Sequence, residues 1–538
     1  MNIKKSKNSQ VLILTYLFIS VLIAVSTSLL FKAVNKRNTT LRQRQIKETF
    51  YLAEGAIEYA IDSFREAIAN FQISPDIQNY DVEVSYQTLN NFTVEVNIQR
   101  KEDTDRIVIE NGTYVYVRNY EIIAEVAHPE NSSISLTLHQ IIARRLIPAF
   151  QHAVFYNNDL EILPGPNMTL SGRIHSNRDI YIDSNNTLTV DSFYLHSAGD
   201  IFNRRKDQDR ESPGDVRIRV DKPGSPQYEY MNGLDSDDPN WTQESQDRWR
   251  GTVQTAVHGV TELTTPSVGS IDSDGYYANQ ADVVIINDTI YKNGETLVEG
   301  VDYPTGAITH TTTFYNNREG KYVKMTEIDL RKLAGYAEGD PEGSPSFPNN
   351  LPSNGLIYAT RTDSGNYQPG IRLKNGEKIY REGGLTTVTN QPLYIQGDYN
   401  TQDSQPSAII ADALNILSNN WNDSNSTQNL SQRTASETTI NCAFIAGIDE
   451  TTPGHYNGGL ENYPRLHEKW SGVNLNIYGS FVALWESQVA QGAWHYGNPQ
   501  YQAPIRNWHY NTLFDDPANL PPFTPWAVEA QRIAWWKE

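Results

Sequence analysis

Cysteine is almost missing from this chain: Cys442 is the only one in 538 residues. That excludes an intrachain disulfide framework. Its neighbours Ile440, Ala443, Phe444 and Ile445 mark a buried strand position and not a nucleophile. Acidic residues are missing from the first 47 positions, which hold nine Lys and Arg. The remainder carries 35 basic and 64 acidic residues, a net of −29 within a total of −20. A body this acidic repels polyphosphate, so nucleic acid is excluded as a partner. Catalytic signatures are missing too. His467-Glu468 is followed by Ser471 where a zinc-protease helix places its second His. No phosphate loop, nucleophile elbow or dinucleotide fingerprint occurs.

Residues 11 to 31 lack any charge and hold mostly Leu, Ile, Val, Phe and Ala. These 21 residues suffice for a hydrocarbon core of about 30 Å at about 1.5 Å per residue. Glycine is absent until Gly55, and the next proline is Pro75, so the spacing predicts one unbroken helix over residues 11–71. Beyond the apolar run, Ile46, Phe50, Ala53, Ile57, Ala60, Phe64, Ala67 and Phe71 recur at steps of four and three, a heptad-like stripe. Its outer half is expected to pack on this chain's own sheet, and its membrane half on partner helices. A signal peptide would have a shorter apolar core and a small-residue cleavage site; Ser26, Thr27 and Ser28 make a poor one. Lys4, Lys5 and Lys7 precede the run and Lys32, Lys36 and Arg37 follow it. The positive-inside rule alone points the C-terminal side into the cytoplasm. The size and acidity of the body argue for the opposite placement, which is adopted here.

The length exceeds what one core usually serves. Residues 1–10 read as a short basic leader, 11–71 as the helix, and 72–147 as an antiparallel sheet packed on it. The sheet rests on period-two alternation in Val82-Val84-Tyr86, Phe92-Val94-Val96-Ile98 and Ile122-Ala124-Val126. Asn90-Asn91 and Asn111-Gly112 supply turns. Residues 148–538 read as a β-rich, solenoid-like head with an insertion at about 204–350. Ile174-His175-Ser176-Asn177-Arg178-Asp179-Ile180 recurs 21 residues later as Leu195-His196-Ser197-Ala198-Gly199-Asp200-Ile201. Stacked coils would set His175 over His196 and Asp179 over Asp200. Residues 282–294 read as a hairpin, and residues 408–421 as a strand and a short helix. The fold class expected is α+β, mostly β.

The N-terminus resembles the PilX N-terminal type of pilus-assembly protein, and more distantly the large pseudopilin that caps type II secretion pseudopili. The residues that carry this are the basic head, the apolar run and Tyr51-Leu52-Ala53-Glu54-Gly55-Ala56. The body resembles large bacterial proteins with this N-terminus, at residues 153–161, 171–177, 314–320, 395–400, 457–462 and 520–525. Asn8, Ser9 and Gln10 stand where a prepilin leader ends in Gly, which argues against cleavage. Ile13 or Leu14 stands where major pilins carry Glu, as in a capping subunit. The resemblance implies a non-enzymatic minor pilin or pseudopilin-like component in the bacterial inner membrane, single-pass, with the body outside. Its partners would be pilin-like subunits and assembly machinery, met through the helix, and membrane lipid.

The second reading is a signal-anchored surface protein that binds or cleaves polysaccharide. His175/His196 and Asp179/Asp200 are its best candidates for a metal site or a carboxylate pair, although Asp before a strand is more often a turn residue. Asp235, Asp237 and Asp238 lack the Gly and distal Glu of a Ca²⁺ loop. Seven of the ten Trp lie from Trp470 to Trp536; sealing the head is favoured over a ligand platform. No catalytic, metal or cofactor residue is assigned.

Overall fold

The computed structural model describes residues 5–83, 92–110, 112–131, 133–220 and 227–538. A single helix spans Lys5–Ala69. Residues 9 to 44 are exposed on every side. From Thr49 onward the helix buries Ala53, Ala56, Ile57, Ala60, Ile61, Phe64, Ala67 and Ile68. Ala53, Ile57, Ala60, Phe64 and Ala67 are positions of the stripe read from the sequence; its first position, Ile46, is instead 48% exposed, and Phe71 lies past the helix end at Ala69. Each large side chain buried contributes roughly 1.5–3 kcal/mol.

The stripe covers an antiparallel sheet with strand order Asn79–Val82, Thr93–Arg100, Thr113–Ala127, Ser135–Pro148 and Trp526–Lys537. Arg106–Glu110 also pairs with Thr113–Ala127. Tyr120, Ile122, Ala124 and Val126 alternate inward against Phe64 and its neighbours. Gly112, at φ +80°, makes the tight link that lets Glu110 pair with Thr113. The Asn90-Asn91 turn and the Val84-Tyr86 alternation lie outside the described residues. The fifth strand comes from the far end of the chain, with Val528 beside Leu146.

The head is built mainly from parallel strands. Val154–Tyr156, Ile174–Ser176 and Leu195–Ser197 stack in one wall. Leu160–Ile162, Ile180–Ile182 and Ile201–Phe202 stack in a second. Met168–Ser171, Thr187–Asp191 and Asp215–Val220 stack in a third. Ile174 pairs with Leu195 and Ile180 with Ile201, in the register of the 21-residue repeat, and all four are 0% exposed. Val154 and Leu160 form an earlier turn of the same stack.

The first wall continues on the other side of Val154. In space it runs Val283–Ile286, Leu356–Thr360, Leu385–Val388, Ser407–Ala411, Thr438–Ala446, Asn474–Ala483, then Val154–Tyr156. The chain therefore enters in the middle of the wall and builds outward to Val253–Gln254. It then returns to the far end and builds back until Phe481 meets Val154. The walls do not close into one solenoid. The second wall is split between a three-stranded and a seven-stranded sheet. The third ends at Met168–Ser171, which pairs with Thr187–Asp191, while Ile505–Tyr510 joins the first wall through Asn474–Ala483.

Val283–Ile286 and Thr289–Lys292 form the expected hairpin. Residues 408–421 differ from expectation: Ser407–Ala411 and Ala413–Leu417 are both strands, buried throughout, with no helix. Asp412 turns the corner between them. Its carboxylate accepts the backbone N–H groups of Val489 at 3.0 Å and Ala490 at 2.9 Å.

Candidate functional site

Half of the helix presents a long apolar surface to which no other described residue is packed. Val11, Leu12, Leu14, Leu17, Phe18, Leu29, Leu30 and Phe31 are all exposed. The stretch is long and apolar enough to cross a membrane, and none of its most apolar window is buried. Ser20 donates to Leu17 O at 2.9 Å and Thr27 to Ile23 O at 2.7 Å; Thr15 bonds Val11 in the same way. The protons of these hydroxyls are donated inside their own helix.

A cavity of about 210 Å³ opens where the sheet meets the head. The sheet supplies Glu110, Arg145 and Glu529; the head supplies His152, His175, Tyr194 and His196. Here the structure brings together the two repeat histidines. The Tyr194 ring stacks on His196 at 3.6 Å, and its hydroxyl lies 3.4 Å from His175 Nδ1. His175 Nε2 meets Asn177 Oδ1 at 3.0 Å. Burial drives His175 down to about 4 and His196 to about 3, and holds His152 well below its ordinary value. The three imidazoles are therefore neutral near pH 7. Arg145 is clamped by Glu529 at 2.7 Å and by Glu110 at 3.1 Å.

The repeat aspartates build turns. Asp159 Oδ1 accepts the N–H of Asp179 at 3.1 Å, and Asp179 Oδ1 accepts the N–H of Asp200 at 2.9 Å. Each coil thus hands its carboxylate to the next. Among the described residues, no group of three or more His, Cys, Asp or Glu is arranged to hold a metal ion. Asp235 accepts from Asn203 N at 3.1 Å, and Arg204 bridges Asp209, Asp235 and Asp237. Cys442 is fully buried, and burial pushes its thiol up, away from thiolate chemistry. Glu468 accepts Ser418 N at 2.7 Å and Ser418 Oγ at 2.6 Å, and His467 meets Asn415 at 2.9 Å. Trp470, Trp485 and Trp508 are core residues, whereas Trp535 stands exposed beside Phe50.

Two features escaped sequence reasoning. One is a buried ionic knot in which Arg318 meets Asp449, and Arg465 meets Glu319 at 2.8 Å and Asp449 at 3.2 Å. The other is Glu161 and Glu461, both buried and both pushed up to about 7 by burial. The only hint was that these residues fall in or near the stretches 153–161, 314–320 and 457–462. Nothing in a linear reading joins them.

No family model matches the chain, and no curated protein does. Among solved structures, the competence-associated pilin ComZ from Thermus thermophilus aligns at 8% identity over 92% of this chain and 97% of that one. The TM-score is 0.26, too low to argue from.

Proposed function

We propose that this chain is a membrane-anchored, pilin-like assembly subunit. Its helix lies in a bacterial inner membrane among other pilin-like helices, and its β-rich head is displayed on the extracytoplasmic side. The observation that carries this reading is the helix. Residues 9 to 44 have no covering surface, yet they continue without a break into a half that packs one face on the sheet. A bilayer and neighbouring helices are the natural cover for the first half. The resemblance of the basic head, apolar run and residues 51–56 to pilus-assembly proteins supports it. Ile13 or Leu14, where a shaft subunit carries Glu, favours a capping or initiating role. The subunit is non-catalytic in this reading: His175, Asp179, Glu468 and Cys442 are each engaged in structural hydrogen bonds.

Photo-crosslinking from Ser20 or Ser28 in intact membranes tests the proposal. Capture of other pilin-like subunits is the expected result. Recovery of monomer alone would remove the assembly role and leave a simple anchor.

A further inference from the structure

Between the apolar run and the packed half of the helix stands a bare stretch of positive charge. Lys32 directly follows Phe31, and Lys36, Arg37, Arg42, Arg44 and Lys47 come after it; the first acidic residue of the chain is Glu48. All of these basic residues are exposed. Height above the bilayer divides them into two groups. The apolar run is about 31 Å long at about 1.5 Å per residue, against a hydrocarbon core of about 30 Å, which leaves little room for tilt. Lys36 and Arg37 therefore stand about 6–8 Å beyond Lys32, within reach of a headgroup layer about 5–8 Å deep. Arg42, Arg44 and Lys47 stand about 15–23 Å beyond it, farther than the screening length of about 8 Å at physiological salt.

The two groups also differ in what the chain offers them. Arg44 meets Glu48 at 2.7 Å and is held further by the charge of Glu130. Among the described residues that is the first ion pair along the helix, so Lys32, Lys36 and Arg37 have no carboxylate partner. Lys32 and Lys36 stand one turn apart on one face, where like charges repel; an anion between them removes that repulsion. A neighbouring copy does not supply it. Copies that span one membrane sit at one height, so their basic stretches face each other, and their acidic residues begin at Glu48, about 24 Å above Lys32. The anions at the height of Lys32 to Arg37 are the phosphates of the lipid. Arg binds phosphate through paired N–H donors, and a Lys stem lies along apolar surface while its ammonium reaches the headgroups.

We propose, on the reading that the helix spans a membrane, that Lys32, Lys36 and Arg37 form a collar for the phosphate groups of anionic phospholipids in the leaflet on the body's side. The test reconstitutes the full chain in phosphatidylcholine vesicles with a trace of spin-labelled phosphatidylglycerol or spin-labelled phosphatidylcholine. Electron spin resonance reads the share of each label held at the protein. One Lys or Arg at an anionic surface is worth about fivefold, so phosphatidylglycerol should be favoured by about fivefold or more at low salt. The preference should shrink in about 1 M salt, where the screening length falls to about 3 Å. The triple variant Lys32→Gln, Lys36→Gln, Arg37→Gln keeps good helix formers and should lower the preference by about threefold or more. Arg42→Gln, Arg44→Gln, Lys47→Gln removes the same charge and should match the wild type. Lys4, Lys5 and Lys7, before the run, are the same in all three proteins, so the difference between the two variants isolates the collar. Equal preference in the two variants overturns the proposal. A wild type that holds both labels equally also overturns it but keeps the anchor, since lipid is still held. A chain that holds neither label has no spanning helix, and the anchor reading falls with the collar.

Discussion

Buried ionisable side chains pull the stability of the head in opposite directions as pH changes. Burial pushes Glu161, Glu461 and Glu468 up to about 7 from the usual 4.5. It pushes His175 down to about 4 and His196 to about 3 from 6.5. A raised carboxyl holds its proton more tightly in the folded chain. Its contribution is complete below about pH 4.5 and is lost as pH rises through about 7. A depressed imidazole works the other way. Its contribution is complete above about pH 6.5 and is lost as pH falls toward 4, because the unfolded chain takes up a proton that the folded chain refuses. Each limb has a slope of about 1.4 kcal/mol per pH unit per group, so between about pH 4.5 and 6.5 the two oppose each other. Glu461→Gln should gain stability relative to the wild type from pH 5 to pH 8. His196→Gln should gain relative to the wild type from pH 7 to pH 4. Melting curves across that range check both, and parallel profiles for wild type and variants would show that these groups do not carry the pH dependence. Gly479 illustrates a different residue-level constraint. A Cβ there would lie 1.7 Å from Cys442 O. Asn474 to Gly479 pair with Ile505–Tyr510 and Phe481 to Ala483 with Val154–Tyr156, so only glycine fits where the strand passes from one edge partner to the next.

At the level of elements, legibility followed the range of the signal. The helix stripe and the alternation of Ile122, Ala124 and Val126 are local periodicities; the stripe is buried from Ala53 to Phe64 but not at Ile46, and the strand face is buried as expected. The 21-residue repeat was legible because Ile174, Ile180, Leu195 and Ile201 recur in short order. Val154 and Leu160 belong to the same stack, but Phe155 and Tyr156 stand where the repeat has His-Ser, and that mismatch hid them. Trp526–Lys537 could not be placed, because a strand at the edge of a sheet carries no mark of which distant strand it joins. The short helix expected within residues 408–421 is instead the strand Ala413–Leu417, both of whose faces are buried, which erases the period of two. The candidate site was legible only as the pairing of His175 with His196; Tyr194, Arg145 and Glu529 come from elements whose meeting depends on the whole topology. For the free half of the helix, Leu22→Arg puts a charge near the centre of the apolar run, at about 2.5–3.5 kcal/mol on insertion scales. The variant should shift from the carbonate-resistant membrane fraction toward the soluble one. Unchanged fractionation would count against a spanning role.

On the scale of the whole molecule, the order in which the walls are built has a consequence for folding. Stacks of coils touch mainly their neighbours, so their stability is ordinarily a sum of local terms and parts can open separately. Here the stack that begins at Val154 is covered on its inner side by Asn474–Ala483, the last coil of the other stack. Phe481 pairs with Val154 and Ala483 with Tyr156, while Tyr463 Oη donates to Val482 O at 2.7 Å. Neither stack can present this wall without leaving a buried strand edge unpaired, and segments more than 300 residues apart in sequence must meet before either is complete. Phe155 sits at this joint, 0% exposed, in one core cluster with Phe150, Ala443, Ile445 and Val482. Phe155→Ala should cost about 3–5 kcal/mol, and the loss should be shared. In native-state hydrogen exchange, amides of Ile180 and Leu195 on one side and of Ile409 and Phe444 on the other should lose protection together, by the same free energy. Faster exchange confined to residues 154–254 would mean that the first stack opens alone and that the seam does not bind the head into one cooperative unit.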